Sequence, residues 1–413
     1  MNLPRVIIRI LIVIILVAGL VHLLWDDPPP NDADLRLVPL NIPRDENAFT
    51  WFVEAGQKMP LDTEKDLERF YGCGVDAADA IARESELAEE IVHKNAEAID
   101  LVKMGLAFTR IESLLPERYP HKAPHLAQWS RLARVMSLRA IAHSRADGDR
   151  DAMDDVLDTV AFGQMAAKCR GGSLHYLRGI AIKQIGYHAL SEILPDVELP
   201  PDALMEYAGR LAALAVDDEA LANAFRADYM SETQSVDNLL DGELVVDGKR
   251  VPKFGRNIML LRNATKRLQA DIHRTAIRNV GRRPDQYEVS RAELESKKPH
   301  RAIPFLHRNM IGRMNASLAP SLERICRQGL AIRANDSMAR LLIAIRCHHM
   351  KAGALPASLN ELVPAWIDAV PLDPFDAEPI RYDPARKIIY SIGTDCEDNG
   401  GDEEKDAVVK IEF

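Results

Sequence analysis

Residues 6–25 read VIIRILIVIILVAGLVHLLW, an apolar run broken only by Arg9 and His22. About 20 apolar residues match the hydrocarbon core of a bilayer, so the pattern predicts one transmembrane anchor over residues 1–25. Arg9 lies a turn inside, from where its long stem reaches the headgroups, and Trp25 suits the far interface. The uninterrupted stretch, residues 10–21, also has the length of a signal-peptide core. Cleavage is disfavoured because Val21-His22-Leu23-Leu24-Trp25 lacks the paired small residues that a signal peptidase needs. Arg5 and Arg9 precede the uninterrupted stretch, and Asp26, Asp27, Asp32 and Asp34 follow the span. Positive flanks stay cytoplasmic. The expected topology is single-pass in the inner (cytoplasmic) membrane, with the N-terminus cytoplasmic and the body on the exported side.

Residues 26–44 open with Asp-Asp-Pro-Pro-Pro-Asn-Asp-Ala-Asp. Proline lacks the N–H a helix needs and clashes with the preceding turn, so this segment predicts a stiff, charged linker. From residue 45 to about 220, apolar positions recur with the helical period. Leu132, Val135, Met136 and Ala142 share one face; Asp147-Gly148-Asp149 makes a turn; Met153, Leu157, Ala161 and Met165 share the next face. Gly171-Gly172 ends that helix, another runs over about 173–194 to Pro195, and Pro200-Pro201 opens a fourth. Helix pairs on short turns resemble helical-repeat layers, although no 34-residue self-similarity is present. Residues 243–251 (ELVVDGKRV) break the pattern and predict a hairpin turning at Asp247-Gly248. A helix over about 257–280 follows, with Leu261, Leu268, Ile272 and Ala276 on one face, and a polar connection over 281–303 closes a helical body of residues 45–303.

Residues 304–413 change character. A long helix over about 307–351 ends at Gly353-Ala-Leu-Pro356, and Ser358 with Glu361 has the spacing of a capping box for a short helix. Four prolines, at 364, 371, 374 and 379, then keep the chain extended. Strands are expected over 380–382, 388–391 and 408–413. The expected fold is mainly α, in helical-repeat-like layers, with a small C-terminal α+β module behind one N-terminal transmembrane helix.

Several motifs in this tail occur in a fixed order: Gly353-x-x-Pro356-x-x-Leu359-x-x-Leu362, Pro371-x-Asp373-Pro374-Phe375, Pro379-x-x-Tyr382, and Tyr390-Ser391-x-Gly393-x-Asp395 leading to Gly400-Gly401 and Asp406. Together they resemble the C-terminal half of the major pseudopilins of type II secretion systems, over about 65 residues. As a whole, the chain resembles membrane-anchored bacterial proteins that carry such a tail behind a helical body. Pseudopilins begin with a glycine followed by Phe-Thr-Leu-x-Glu at the head of the apolar helix; Met1 to Arg9 has no such site. The resemblance therefore implies a reused module rather than a filament subunit.

In that family the acidic loop binds calcium. Here Asp395, Glu397, Asp398, Asp402, Glu403, Glu404 and Asp406 crowd one loop. Like charges repel unless a cation or solvent absorbs them, and calcium takes six to eight oxygens from a flexible loop. Asp395 and Asp406 match family positions; Asp398 and Asp402 are added by spacing. The expected metal ligands are thus Asp395, Asp398, Asp402 and Asp406, with a solvated acidic turn as the other reading. Cys396 stands where the family more often has glycine.

Composition narrows the remaining classes. A chain 47% hydrophobic and 28% charged with 6% aromatics is that of a folded, helix-rich protein. Five scattered cysteines, with no CxxC pair, argue against a disulfide framework or a thiolate metal site. The net charge of −10 conceals a basic stretch: residues 249–313 carry 17 Lys and Arg against 5 Asp and Glu. Stacking aromatics are sparse there, so a nucleic-acid partner is not expected. Cys347-His348-His349 cannot share an ion on a helix, because successive side chains point about 100° apart. His121 and His125 lack a third ligand, and Glu90-x-x-His93 is half of a di-iron pattern. HExxH, GxSxG, P-loop and GxGxxG motifs are absent. The sequence thus predicts a membrane-anchored scaffold or interaction protein of the cell envelope with a protein partner. The alternative is an exported enzyme or ligand-binding protein with a pocket between helix layers.

Overall fold

The computed structural model describes residues 3–71, 81, 83–113, 123–242, 245–246, 249–250, 260–291, 294, 309, 312 and 319–413. The described chain is mainly helical, with a small antiparallel sheet at its C-terminus, as the periodicity predicts. Cys73, His121, the Asp247-Gly248 turn and most of residues 292–318 lie outside the described residues.

Helix α1 spans Leu3–Leu24. Successive helical residues point about 100° apart, yet every side chain from Ile7 to Val17 is exposed, so its apolar surface faces outward on all sides. Among the described residues no helix is long and apolar enough to cross a membrane.

The segment after α1, read from sequence as a linker, lies along the body. Its partners are helices α10 (Asp218–Asp241) and α11 (Arg262–Asn279). The Asp26 carboxylate accepts from the N–H groups of Asn263 and Ala264 (2.8 and 3.1 Å), capping the first turn of α11, whose orphan donors suit an anion. Arg267 donates to the Pro28 carbonyl (2.7 Å), and Arg274 forks onto the Asp34 carboxylate (2.8 and 2.7 Å) while reaching the Asn31 carbonyl. The Tyr229 hydroxyl donates to Asp32 (2.8 Å), and Leu35 is buried against Tyr229 and Ala270. Arg36 beside Asp32 and Arg274 beside Asp34 hold both carboxyls below the usual carboxylate range. The basic stretch finds its partners here too: Arg262 and Lys266 pair with Asp237, and Arg278 and Arg282 with Glu288.

The body consists of α2 (Ala48–Lys58), α3 (Thr63–Tyr71), α4 (Ser85–Lys94), α5 (Ala96–Leu106), α6 (Pro124–Arg145), α7 (Asp149–Lys168), α8 (Ser173–Ile193) and α9 (Pro201–Ala213), followed by α10 and α11; α7 packs on its chain neighbours α6 and α8, whereas α2 packs on α5. Asn47 caps α2 and Asp217 caps α10, each by accepting a first-turn N–H. Proline starts α6 and α9, where its missing N–H costs nothing. Helices α7 and α8 approach closely at Gly163 and Gly179, where a Cβ on Gly163 would lie 2.6 Å from the Gly179 carbonyl oxygen. The short strands β1 (Val245–Val246) and β2 (Lys249–Arg250) pair antiparallel, as the hairpin reading expects.

Helix α12 (Ala319–Ala352) ties the parts together. It packs against α8, α9 and α11, and also against the sheet formed by β3 (Arg381–Asp383), β4 (Ile388–Ser391) and β5 (Ala407–Lys410). The sheet order is β3-β4-β5, all antiparallel, with Tyr382 opposite Ile389 and Tyr390 opposite Val408. β3 and β4 join across the Asp383–Arg386 turn, as expected. Ile380, Ile389 and Ile411 share one continuous core with Leu341, Ile343 and Ile345 of α12 and with helices back to Ala48. The expected capping box after α12 does not form, since neither the Ser358 side chain nor the Ser358 N–H takes part. Glu361 accepts from the Ala357 N–H (3.1 Å), the Ser358 side chain makes no cap, and residues Leu359–Leu362 wind as a 3-10 turn.

Candidate functional site

Helix α8 carries one charge into the core. The Gly163–Gly179 approach draws α7 against α8, and one turn on from Gly179 Lys183 is fully buried. Its Nζ donates to the Leu214 carbonyl (2.7 Å), an orphan acceptor at the C-terminus of α9, and pairs with Asp336 Oδ1 of α12 at 2.8 Å. The Tyr187 hydroxyl, a turn further along α8, donates to the same carboxylate oxygen. Asp336 Oδ2 is buried with no hydrogen-bond partner among the described residues. Burial lowers the Lys183 ammonium and Asp336 pulls it partly back; burial and the neighbouring carboxylate raise Tyr187 well above an ordinary phenol.

Above this buried group opens a cleft of about 390 Å³ between α8, α12 and β5. Tyr187, Gln184 and Ser191 form its α8 wall, Asn335 and Ala339 its α12 wall, and Val408, Val409 and Lys410 its β5 wall. Glu192, Glu403 and Glu412 bring negative charge to the same space. Lys410 pairs with Glu403 at 3.0 Å, both side chains being well exposed, and His188 lies 3.7 Å from Glu192. Sequence reasoning missed this cleft, because its α8 and β5 walls are more than 200 residues apart in the chain. The one available signal was Lys183 within the short run Gly179-Ile-Ala-Ile-Lys-Gln-Ile-Gly186.

The acidic loop closes on itself. Asp406 is buried, and its carboxylate accepts from the N–H groups of Gly401 (2.7 Å), Asp402 (3.2 Å) and Asn399 (3.4 Å). Gly400 and Gly401 take φ of 69° and 75°, the left-handed backbone that aims those N–H groups inward. Asp395 accepts from the Glu397 N–H and the Asn399 amide, both at 3.1 Å, and Asp402 accepts from the Glu404 N–H (2.9 Å). Asp398 accepts from the Gly400 N–H (2.9 Å) and also from Tyr390 (3.3 Å) and Arg381 (3.4 Å). Arg386 donates to the Gly400 and Gly401 carbonyls, the atoms a cation would seek. Among the described residues no three His, Cys, Asp or Glu side chains gather around a point that could hold a metal ion. Asp395, Asp398, Asp402 and Asp406 as placed therefore do not fit a preformed calcium shell, which needs six to eight converging oxygens. Millimolar calcium is expected to leave the melting temperature unchanged, whereas Asp406→Ala lowers stability by about 1–3 kcal/mol with or without calcium, by leaving three donors unmatched. A calcium-dependent rise in melting temperature would mean that the loop rearranges to bind the ion.

The hub of the tail is instead Asp373, in the middle of the Pro371-x-Asp373-Pro374-Phe375 motif. It is fully buried, and its carboxylate accepts from Phe375 N–H (3.1 Å), Ser391 Oγ (3.0 Å), Ile392 N–H (3.0 Å) and Arg381 Nη1 (3.0 Å). Arg381 also reaches Asp376 and Asp398, which joins the proline segment, β3, β4 and the acidic loop.

One histidine pair was not suggested by the sequence. His125 meets His175 of α8, Nε2 to Nε2 at 2.9 Å with ring centroids 5.1 Å apart, a nearly head-on hydrogen bond between imidazoles, enclosed by Phe49 and Trp129. Burial lowers His125. Cys347 is buried with its thiol towards the Pro201 carbonyl, His348 faces Glu361 and His349 packs on Phe413, so that triplet does not converge. Glu90 pairs with Lys94.

A second titratable group lies between α8, α10 and α11. Asp228 accepts from the Ser173 N–H through both oxygens (3.1 and 3.0 Å), and His273 Nε2 is 3.7 Å from Glu232. Burial raises Asp228 to about 6 and Glu232 to about 7, and lowers His273. A carboxyl raised on folding binds more protons in the folded state, so its contribution to stability falls as pH climbs from its ordinary value to the raised one. Glu232→Gln should therefore gain stability relative to wild type between about pH 4.5 and pH 7, read as urea midpoints at the two ends. A difference that stays constant across this window would contradict the assignment.

Set against protein-family models, curated proteins and solved structures, the chain matches none.

Proposed function

We propose that this protein is a membrane-anchored scaffold of the cell envelope: α1 sits in the inner membrane, and the helical body is presented on the exported face to a protein partner. The observation that carries this reading is the strap of residues 26–36. A free spacer would let the body swing on its anchor, whereas here Asp26, Asp32 and Asp34 are hydrogen-bonded into α10 and α11. An exposed apolar helix leading directly into a fixed strap suits a protein that holds a surface in one orientation. The resemblance of the tail to secretion pseudopilins makes envelope secretion machinery the first class of partner to examine.

A second reading, a small-ligand site, is favoured by one observation. The cleft has the volume of such sites, and it lies over Tyr187 and the half-satisfied Asp336.

Anchoring is tested by an alkaline carbonate wash of membranes from cells making the full chain or a chain lacking residues 1–25. The full chain should stay with the membranes and the shortened one should be released. Release of both would overturn the reading.

A further inference from the structure

Within the proposed scaffold, β5 is the outermost strand of its sheet, and among the described residues no strand pairs with its outer edge. An unpaired strand edge is a template for another chain, and natural proteins usually cover it or blunt it. Here Val408, Val409 and Lys410 of β5 line the cleft, across from the α8 and α12 walls. The space therefore has an edge strand on one side and helix side chains on the other. Gln184, Ser191 and Asn335 supply amide and hydroxyl groups that can bond a main chain, and Val408, Val409 and Ala339 supply apolar contact. The charge of the walls selects the occupant: Glu192, Glu403 and Glu412 stand against Lys410 and a histidine. The Glu403–Lys410 pair is exposed on both sides, and such pairs contribute little, so an incoming cation can take the place of Lys410.

We infer that the cleft receives an extended, lysine- or arginine-bearing segment of the partner protein, which adds to the sheet alongside β5 and sets its cations against Glu403 and Glu412. Main-chain bonds to the edge would supply affinity, and the glutamates would supply selectivity, as in other strand-addition complexes. This inference rests on the scaffold reading for its partner, but its test is independent of membrane topology.

The probe is a fluorescein-labelled peptide of alternating lysine and valine, with a glutamate–valine peptide and a lysine–valine peptide N-methylated at alternate residues as controls. Fluorescence anisotropy is read on the full chain in detergent micelles. Saturable binding is expected for the lysine–valine peptide alone. It should weaken at least tenfold in the Glu403→Gln/Glu412→Gln variant, whose melting temperature should match wild type because both side chains are on the surface. Equal binding of the N-methylated peptide would overturn strand addition. Equal binding of the glutamate–valine peptide, an unchanged affinity in the double variant, or no saturable binding would overturn the inference as a whole. None of these outcomes bears on the carbonate wash, so the two readings fail separately.

Discussion

Replacing Asp373 by alanine is expected to cost about 3–5 kcal/mol of folding stability, the range for removing one partner of a buried charged network. The carboxylate is fully buried and satisfies two backbone N–H groups, the Ser391 hydroxyl and the Arg381 guanidinium. Its loss strands Phe375 N–H and Ile392 N–H away from water, each at a cost of about 1–3 kcal/mol. Arg381 suffers less because Asp376 and Asp398 remain beside it. Asp373→Asn keeps one acceptor oxygen but turns an amide towards either Ile392 N–H and Arg381 or Phe375 N–H and the Ser391 hydroxyl, so its cost should fall between wild type and alanine. Because Ile389 and Ile411 share the core of α12, the loss should appear in the global unfolding transition, measured by urea titration, rather than as local fraying of the tail. A cost below about 1 kcal/mol would remove Asp373 from the centre of the tail.

Lys183→Met is expected to cost a similar amount, about 3–5 kcal/mol, because it leaves the Asp336 carboxylate buried without its cation. The Leu214 carbonyl at the end of α9 loses its donor in the same step. Adding Asp336→Leu should recover most of the loss, since a buried ion pair exchanged for apolar side chains is often close to neutral. The pH dependence has a definite sign. Folding lowers the affinity of Lys183 for its proton, so the unfolded chain binds more protons between the depressed value and the ordinary lysine value near 10.4. Stability contributed by this group therefore rises with pH through that window, and Lys183→Met should flatten the rise. If the double variant is no more stable than Lys183→Met, the two residues are not energetically coupled.

The parts legible in the sequence were those with local causes. Glycine and proline punctuation located the ends of α8 and the start of α9; the strand expected over 388–391 is β4, and β3 is shifted by a single residue. What sequence alone concealed was set by distance along the chain. Asp26, Asp32 and Asp34 looked like a solvated spacer because their partners, Asn263, Tyr229 and Arg274, lie about 200 or more residues away. The sequence sets His125 four residues from His121, whereas it meets His175 on another helix. Family likeness directed attention to the four aspartates of the acidic loop. Their local hydrogen bonds to backbone N–H groups, which depend on the positive φ of Gly400 and Gly401, are invisible in a count of charges. In the sequence Asp373 is one residue of a proline motif, and a single aspartate between prolines carries no sign of the four donors that surround it.

The central claim is that α1 anchors the chain with the body on the exported side, and a reporter fused after Phe413 tests it most directly. Alkaline phosphatase folds only where disulfides form, outside the cytoplasm. Two arginines precede the uninterrupted apolar stretch and four aspartates follow the span before the next base. The fusion is therefore expected to be active and to sediment with the membranes. An inactive fusion in the membrane fraction would invert the topology, and a fusion in the soluble fraction would contradict the anchor.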